Sequence, residues 1–303
     1  MLKYPRITNH YDEKFIKLWL QNVPNLLDNE FVGQLKYDGA NVSIEFNKNQ
    51  ALKFFTRNNK LGGSADFMGF REILSTPKYA AFLNKIQSWL EHRNCVQKIN
   101  LFGELYGPRV QNRINYGNER RIKFFDVYFD YKLQSVSGLN EWFKNFDALD
   151  FLVEIQLKDV SFKEMLDLAE KISNSTEIEG FVIKPLHKVY LDDKNLPFYV
   201  KVKSRKFNDH DTTDTCLINI LSCINQNRIL DCRSKTIWKN FEEFTQLVVY
   251  DVLNECDLLD SNKEPIALPK EWNKIICGKI NQVSKNLFNL KTGELIKKNT
   301  ILN

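Results

Sequence analysis

Lys36, in Lys36-Tyr37-Asp38-Gly39, follows the apolar residues Phe31, Val32 and Leu35, and is answered far downstream by Glu179-Gly180 and by Lys201 and Lys203. A lysine, an acid and two further lysines in that order suit one chemistry: attack of an amine on the α-phosphate of a nucleotide. The acid can hold a divalent metal, and the cations can shield phosphate charge. An unperturbed lysine, with a pKa of about 10.4, is protonated at neutral pH. The arrangement therefore predicts that Lys201, Lys203 and a bound metal depress the Lys36 pKa while stabilising the phosphate oxygens.

Other residues fit the same ligand, and each has a plainer reading beside it. Arg57, after Phe55-Thr56, can fork onto phosphate oxygens or lie on open surface. Glu104, between Gly103 and Gly107, can accept hydrogen bonds from ribose hydroxyls or face water at a strand end. Phe125 can stack on a purine or fill a core; Phe124 and Phe125 should point to opposite faces, so at most one stacks. Glu179 can bind metal or close a hairpin. Lys201 and Lys203 share a strand face, directed at one phosphate or at solvent. His10, His92, His187 and His210 lack metal spacing, and there is no Walker loop and no dinucleotide glycine fingerprint.

Strands must position these side chains. Segments 31–36, 40–47 and 51–57 read as strands, with Val42, Ile44 and Phe46 alternating against Asn41, Ser43 and Glu45 around the Asp38-Gly39 turn. Further strands are expected at 99–106, 122–129, 180–185 and 198–203. Helices are expected from Phe15, Leu18 and Trp19, from Tyr79, Phe82, Leu83, Ile86 and Leu90, and over 161–173. Strands mixed with packing helices make an α+β fold. After a linker at Lys206–Asp214 the pattern turns helical through Leu217, Ile220, Leu221 and Ile224, then Phe241 to Leu253, with breaks at Pro265 and Pro269 before a pattern through Trp272 and Ile280. The expected domains are 1–210 and a smaller, all-α 211–303.

The 303 residues are 43% hydrophobic and 27% charged, with 22 Phe, which fits a globular protein with a large core. A formal charge of +5 is compatible with a polyanionic partner or an ordinary surface. Cys95, Cys216, Cys223, Cys232, Cys256 and Cys277 show no paired spacing and read as reduced core residues. The N-terminal residues lack the apolar core of a signal peptide, and no run is long enough to span a membrane. The expected setting is a reducing intracellular compartment.

Taken together, the motifs resemble those of ATP-dependent RNA ligases of the phage-type, nick-sealing (RNA ligase 2-like) group in the covalent nucleotidyltransferase superfamily. Lys36-Tyr37-Asp38-Gly39-Ala40-Asn41 is similar to the first motif, Thr56-Arg57 to the arginine motif and Phe102-Gly103-Glu104 to the third. Phe125-Asp126 is similar to the adenine-stacking element, Glu179 to Pro185 to the fourth motif, and Lys201 to Phe207 to the fifth. Asn9-His10-Tyr11 and Gly107-Pro108 through Tyr116 also look familial. This group often carries histidine where Asp38 stands, and aspartate is usual in DNA ligases and capping enzymes.

The resemblance implies an ATP-grasp-like ligase core with mixed antiparallel sheets and a helical, nucleic-acid-binding C-terminal domain. It implies a monomeric enzyme that joins 3′-OH and 5′-phosphate RNA ends in nicked duplexes, using ATP with Mg2+ or Mn2+. Lys36 would carry AMP, Glu179 would bind metal, and Lys201 and Lys203 would act on phosphate. Glu104 would hold ribose, Phe125 would stack on adenine and Arg57 would bind phosphate, with Asn41 and Lys184 supporting. Lys235, Lys239, Lys274 and Lys279 would offer the tail's cations to phosphates. A DNA ligase, a capping guanylyltransferase and a catalytically silent RNA-end binder remain the alternatives.

Overall fold

Period-two alternation decides how the layers stack. A computed structural model describes residues 2–63, 65–111, 113–204, 207, 217, 220–235, 240–256, 258, 265 and 268–288. The chain divides into two compact units, Met1–Lys206 and Phe207–Asn303. The expected linker from Lys206 to Asp214 lies, apart from Phe207, outside the described residues, as do Cys216, His210 and the side chains of Lys235 and Lys239.

The first unit holds two five-stranded sheets. The first sheet runs β1 (Thr8–Asn9), β10 (Val200–Lys203), β9 (Gly180–Pro185), β2 (Phe31–Lys36), β8 (Ile155–Leu157). The second runs β4 (Lys53–Thr56), β3 (Ala40–Asn47), β5 (Lys98–Tyr106), β6 (Arg121–Phe129), β7 (Lys132–Leu133). Every pairing is antiparallel except β1 on β10.

On the first sheet Phe31, Leu35, Phe181, Ile183, Val200 and Val202 pack against α1 (Glu13–Asn22) and α5 (Phe162–Ser175) through Trp19, Phe162, Met165 and Ala169. The intervening residues, Gln34, Lys36, Gly180, Val182, Lys184, Lys201 and Lys203, take the opposite face. On the second sheet Val42, Ile44, Phe46, Ile99, Leu101, Leu105, Ile122 and Phe124 pack against α3 (Pro77–Glu91) and α4 (Val136–Lys144). Asn41, Ser43, Glu45, Asn100, Phe102 and Glu104 therefore take its other face. A fully buried Phe or Ile contributes about 1.5–3 kcal/mol, so either alternation is costly to invert.

The two outward faces meet in a smaller cluster of Phe102, Tyr128, Leu133, Val182 and Tyr199, with Tyr4, Ile7 and Phe125 packed on it. Polar side chains meet there too, Lys184 donating to Asp126 at 2.9 Å, and the space between the two faces is termed the cleft.

Helix ends follow local chemistry. Asp12 accepts from Phe15 N at 3.1 Å to start α1, and Ser161 with Glu164 forms a reciprocal capping box on α5. Two expectations need correcting. Leu18 lies on the outer side of α1 with 57% exposure, because only Trp19 of that helix is buried. Cys95 is exposed, since it falls in the turn after α3 rather than in an apolar element. The chain also contains β1, β7, β8, α2 (Phe70–Leu74) and α4, for which no element was expected.

The elements described in the second unit are helices. Ile229 of α6 (Gln226–Lys235), Phe244, Val248 and Val252 of α7 (Phe241–Glu255) and Trp272 and Ile280 of α8 (Lys270–Phe288) form its core with Ile220 and Ile224 from the residues before α6. No helix among the described residues is long and apolar enough to cross a membrane.

Candidate active site

Lys36 ends β2, and its register partner on β9 is Gly180; Gly180 in turn pairs with Lys203 on β10. Three adjacent strands therefore bring a lysine, a glycine and a lysine into one row, and at about 4.8 Å per strand the two lysine backbones lie roughly 10 Å apart. The gap between them cannot hold a side chain. A Cβ on Gly180 would lie 1.9 Å from the Val202 carbonyl oxygen, and its φ of +153° suits glycine. Glu179, just before β9, is 4% exposed and accepts from Lys36 Nζ at 2.6 Å. Its backbone carbonyl accepts from Ser204 N at 2.9 Å, which fixes the two motifs to each other.

The charge balance at Lys36 differs from the sequence expectation. Burial pulls the Lys36 pKa down, but Glu179, Glu104 and Asp38 outweigh it and the net shift is upward. Burial pushes Glu179 up, and Lys36, Lys203 and Arg113 more than reverse it, leaving its carboxyl below the usual range. The protein's own charges hold the pair as ammonium and carboxylate. The expected net depression of the Lys36 pKa is not found, because the carboxylates dominate around the amine.

The turn after Lys36 is gripped by the β5–β6 connection. Arg113 forks onto Asp38, with Nε donating to Oδ2 at 3.2 Å and Nη2 donating to Oδ1. Asp38 is 2% exposed, and its backbone N–H donates to the Tyr116 hydroxyl at 2.8 Å. Burial and Glu179 raise the Asp38 pKa against the pull of Arg113. Gly39 fits only because it lacks a Cβ, which would meet the Leu105 carbonyl oxygen at 2.2 Å and Glu104 Cγ at 2.9 Å. Tyr37 points away, donating from its hydroxyl to Glu154 at 2.7 Å and packing on Tyr106.

Opposite lies the second sheet. Glu104 pairs across β3 with Asn41, and Arg57 follows Thr56, whose partner Val42 is next to Asn41. Arg57 is exposed. A bulge in β6 leaves Phe125 without a partner residue on β5, since Asp126 pairs with Phe102 and Phe124 with Gly103. The bulge turns Phe125 and Asp126 both toward the cleft side while Phe124 stays in the core. Lys184, 1% exposed, donates to Asp126 Oδ2 at 2.9 Å and to the Phe125 carbonyl at 3.1 Å, with its amine 5.5 Å from the Phe125 ring centroid. Burial lowers its pKa. Tyr4 and Tyr199 also donate to Asp126. Lys201 is 8% exposed, and its carbonyl accepts from His10 N at 3.0 Å. Arg205 and Lys206 of the fifth motif lie outside the described residues.

Two buried acceptors on the cleft faces, Asn41 Oδ1 and Gln34 Oε1, have no partner among the described residues. Unsatisfied buried acceptors are costly, so their presence suits a ligand that brings donors, such as a base amine, a ribose hydroxyl or a hydrated cation. Among the described residues no group of three or more His, Cys, Asp or Glu is placed to hold a metal. A magnesium-like ion here would lean on Glu179 and on ligand phosphates.

Sequence reading missed Gln34, Arg113, Tyr116, Tyr4 and Tyr199. Gln34 stands two residues before Lys36, and Arg113 and Tyr116 stand in the stretch from Gly107 to Tyr116 that looks familial; Tyr4 and Tyr199 carry no such signal.

A family model described as RNA ligase matches residues 29–203. The chain belongs to the RNA ligase family. The match spans β2 to β10 and takes in Lys36, Glu104, Glu179 and Lys203. A search of curated proteins gave no match. Among solved structures the chain is similar to Naegleria gruberi RNA ligase with PPi, at 16% identity and a TM-score of 0.47, covering 69% of this chain and 57% of that one. It is similar to a mutant of that ligase with ATP and Mn, at 15% identity, TM-score 0.49 and the same coverages. A mutant with AMP and Mn gives 17%, 0.46, 68% and 57%. The chain thus spans less than two thirds of those proteins' length.

Proposed function

We propose that this RNA ligase-family chain is an ATP-dependent RNA ligase, of the phage-type group, that seals 3′-OH and 5′-phosphate ends at nicks in duplexes. Lys36 first loses its ammonium proton to solvent, and the neutral amine then attacks the α-phosphate of ATP, forming a phosphoramidate P–N bond as the bond to the leaving pyrophosphate breaks. AMP then passes to the RNA 5′-phosphate, and the 3′-hydroxyl displaces it. The observation that carries this reading is the 2.6 Å contact of Lys36 with Glu179 at one end of a row that reaches Lys203 across a bare glycine.

Each residue's part follows from its place. Lys203 and Lys201, on the same face as Lys36, neutralise phosphate oxygens as charge builds on them. Glu179 would hold a divalent Mg2+ or Mn2+ ion, whose contribution is Lewis-acid shielding of the phosphates. Phe125 stacks on the adenine, Glu104 and Asn41 receive ribose hydroxyls, and Arg57 at the rim takes a phosphate. Lys184 supports from beneath by fixing Asp126 and the Phe125 backbone. Residues 1–210 form the adenylyltransferase domain, and the helical remainder contacts nucleic acid, with Lys274 and Lys279 among its cations. The protein acts as a monomer inside the cell.

The test incubates the protein with magnesium and ATP or GTP labelled at the α-phosphate, then adds nicked RNA or nicked DNA. Expected are label from ATP on the protein, none on Lys36→Ala, and discharge into sealed RNA. Label from GTP would indicate capping, sealing of DNA alone a DNA ligase, and no label a silent RNA-end binder.

A further inference from the structure

We propose that Arg113 is a positioning residue for adenylylation of Lys36, acting through Asp38; this rests on the function proposed above. The turn that aims Lys36 spans Tyr37 to Gly39, and its one charged side chain, Asp38, is 2% exposed. A buried carboxylate needs a partner. Here two cations are within reach of its field, Arg113 and Lys36. Arg113 takes both carboxylate oxygens in a fork, while Lys36 donates to Glu179.

The fork is set by the connection that carries it. The connection leaves β5 at Gly107, where φ is +114° and a Cβ would lie 2.5 Å from the Glu119 carbonyl oxygen, so its two ends are pinched together. From that closed base the loop returns over the turn and grips it twice, with Arg113 on the Asp38 carboxylate and Tyr116 on the Asp38 backbone. Gly39 is wedged from the other side by Leu105 and Glu104. The direction of Lys36 is therefore determined between β5 and this loop, and the Arg113–Asp38 pair is the charged part of the grip. Without the guanidinium, Asp38 would be a second buried carboxylate competing with Glu179 for the amine, drawing Lys36 off the line of attack.

The experiment measures single-turnover lysyl-AMP formation with ATP and magnesium for the full chain and for R113A, R113K, D38N and R113A/D38N. R113A should lower the maximal rate by about 100-fold, the scale of a 1 Å misplacement, with the ATP half-saturation concentration unchanged. R113K, a point charge without the fork, should recover part of the loss. In the D38N background R113A should cost no more than about 2-fold, the ordinary limit of additivity. An equal loss in both backgrounds would overturn the role and leave Arg113 as a loop brace. A raised half-saturation at unchanged maximal rate would overturn it in favour of direct contact with the nucleotide. Absence of any adduct on the unaltered chain would overturn the ligase reading itself, a result distinct from an adduct that forms with an additive cycle.

Discussion

At the residue scale, the site is built from charges that need one another. Lys184 and Asp126 are almost fully buried and joined at 2.9 Å between β9 and β6, so either alone would be an uncompensated charge between the sheets. Lys184→Met should therefore cost about 3–5 kcal/mol, measured by urea denaturation. Pairing it with Asp126→Asn should return much of that, because the charge it orphaned is gone. Loss of the same size in the double variant would mean that packing around the lysine stem, rather than its charge, holds the sheets. Lys36 and Glu179 form the second such pair, but Lys36 keeps 24% of its side chain exposed and so stays reachable by a ligand. The order of lysines and acids was legible in the sequence because each type is chemically rare at a strand end. The direction of the Lys36 pKa was not, since it depends on how close Glu179 first, and then Glu104 and Asp38, come to the amine, and three separate segments set those distances.

At the element scale, strand alternation carried most of what could be read. The strands with Lys36, Asn41, Glu104 and Lys203 were expected within a residue or two of where they lie, because their buried faces are regular. The elements that escaped are short or local: β1 and β7 have two residues each and β8 three. The β6 bulge was also hidden, since nothing in Phe124-Phe125-Asp126 marks one residue as extra, yet it alone puts Phe125 and Asp126 on one side. Gly180 supplies the sharpest prediction at this level. Gly180→Ala must push β9 and β10 apart, because the added methyl would fall on the Val202 carbonyl oxygen. Adduct formation should drop below detection and Tm should fall; a variant with normal Tm and normal labelling would show that the row tolerates a side chain.

At the scale of the molecule, acid stability has an identifiable anchor. Burial alone would raise the Glu45 pKa, but Lys98, Asn47 and Asn100 bring it down to about 2. A carboxylate depressed in the folded state contributes stability above its unfolded pKa, about 4.3, and loses it as pH falls toward about 2. Glu45→Gln should therefore flatten the decline of stability between those values in an acid titration followed by circular dichroism, and an unaltered profile would remove Glu45 from the account. The strand order has a consequence of another kind, in time. All strands of the second sheet lie between Ala40 and Leu133, whereas Lys36 waits for a partner 143 residues downstream. Chains fold from the N-terminus as they leave the ribosome, so the β3–β7 sheet can form while β2 still lacks the strands that flank it. A chain interrupted before Glu179 carries the proposed nucleophile without its acid, without Lys203 and without the row that aims it. On the proposed function, reactivity toward nucleotide is thus withheld until synthesis has passed the last strand, and unfinished chains stay chemically silent.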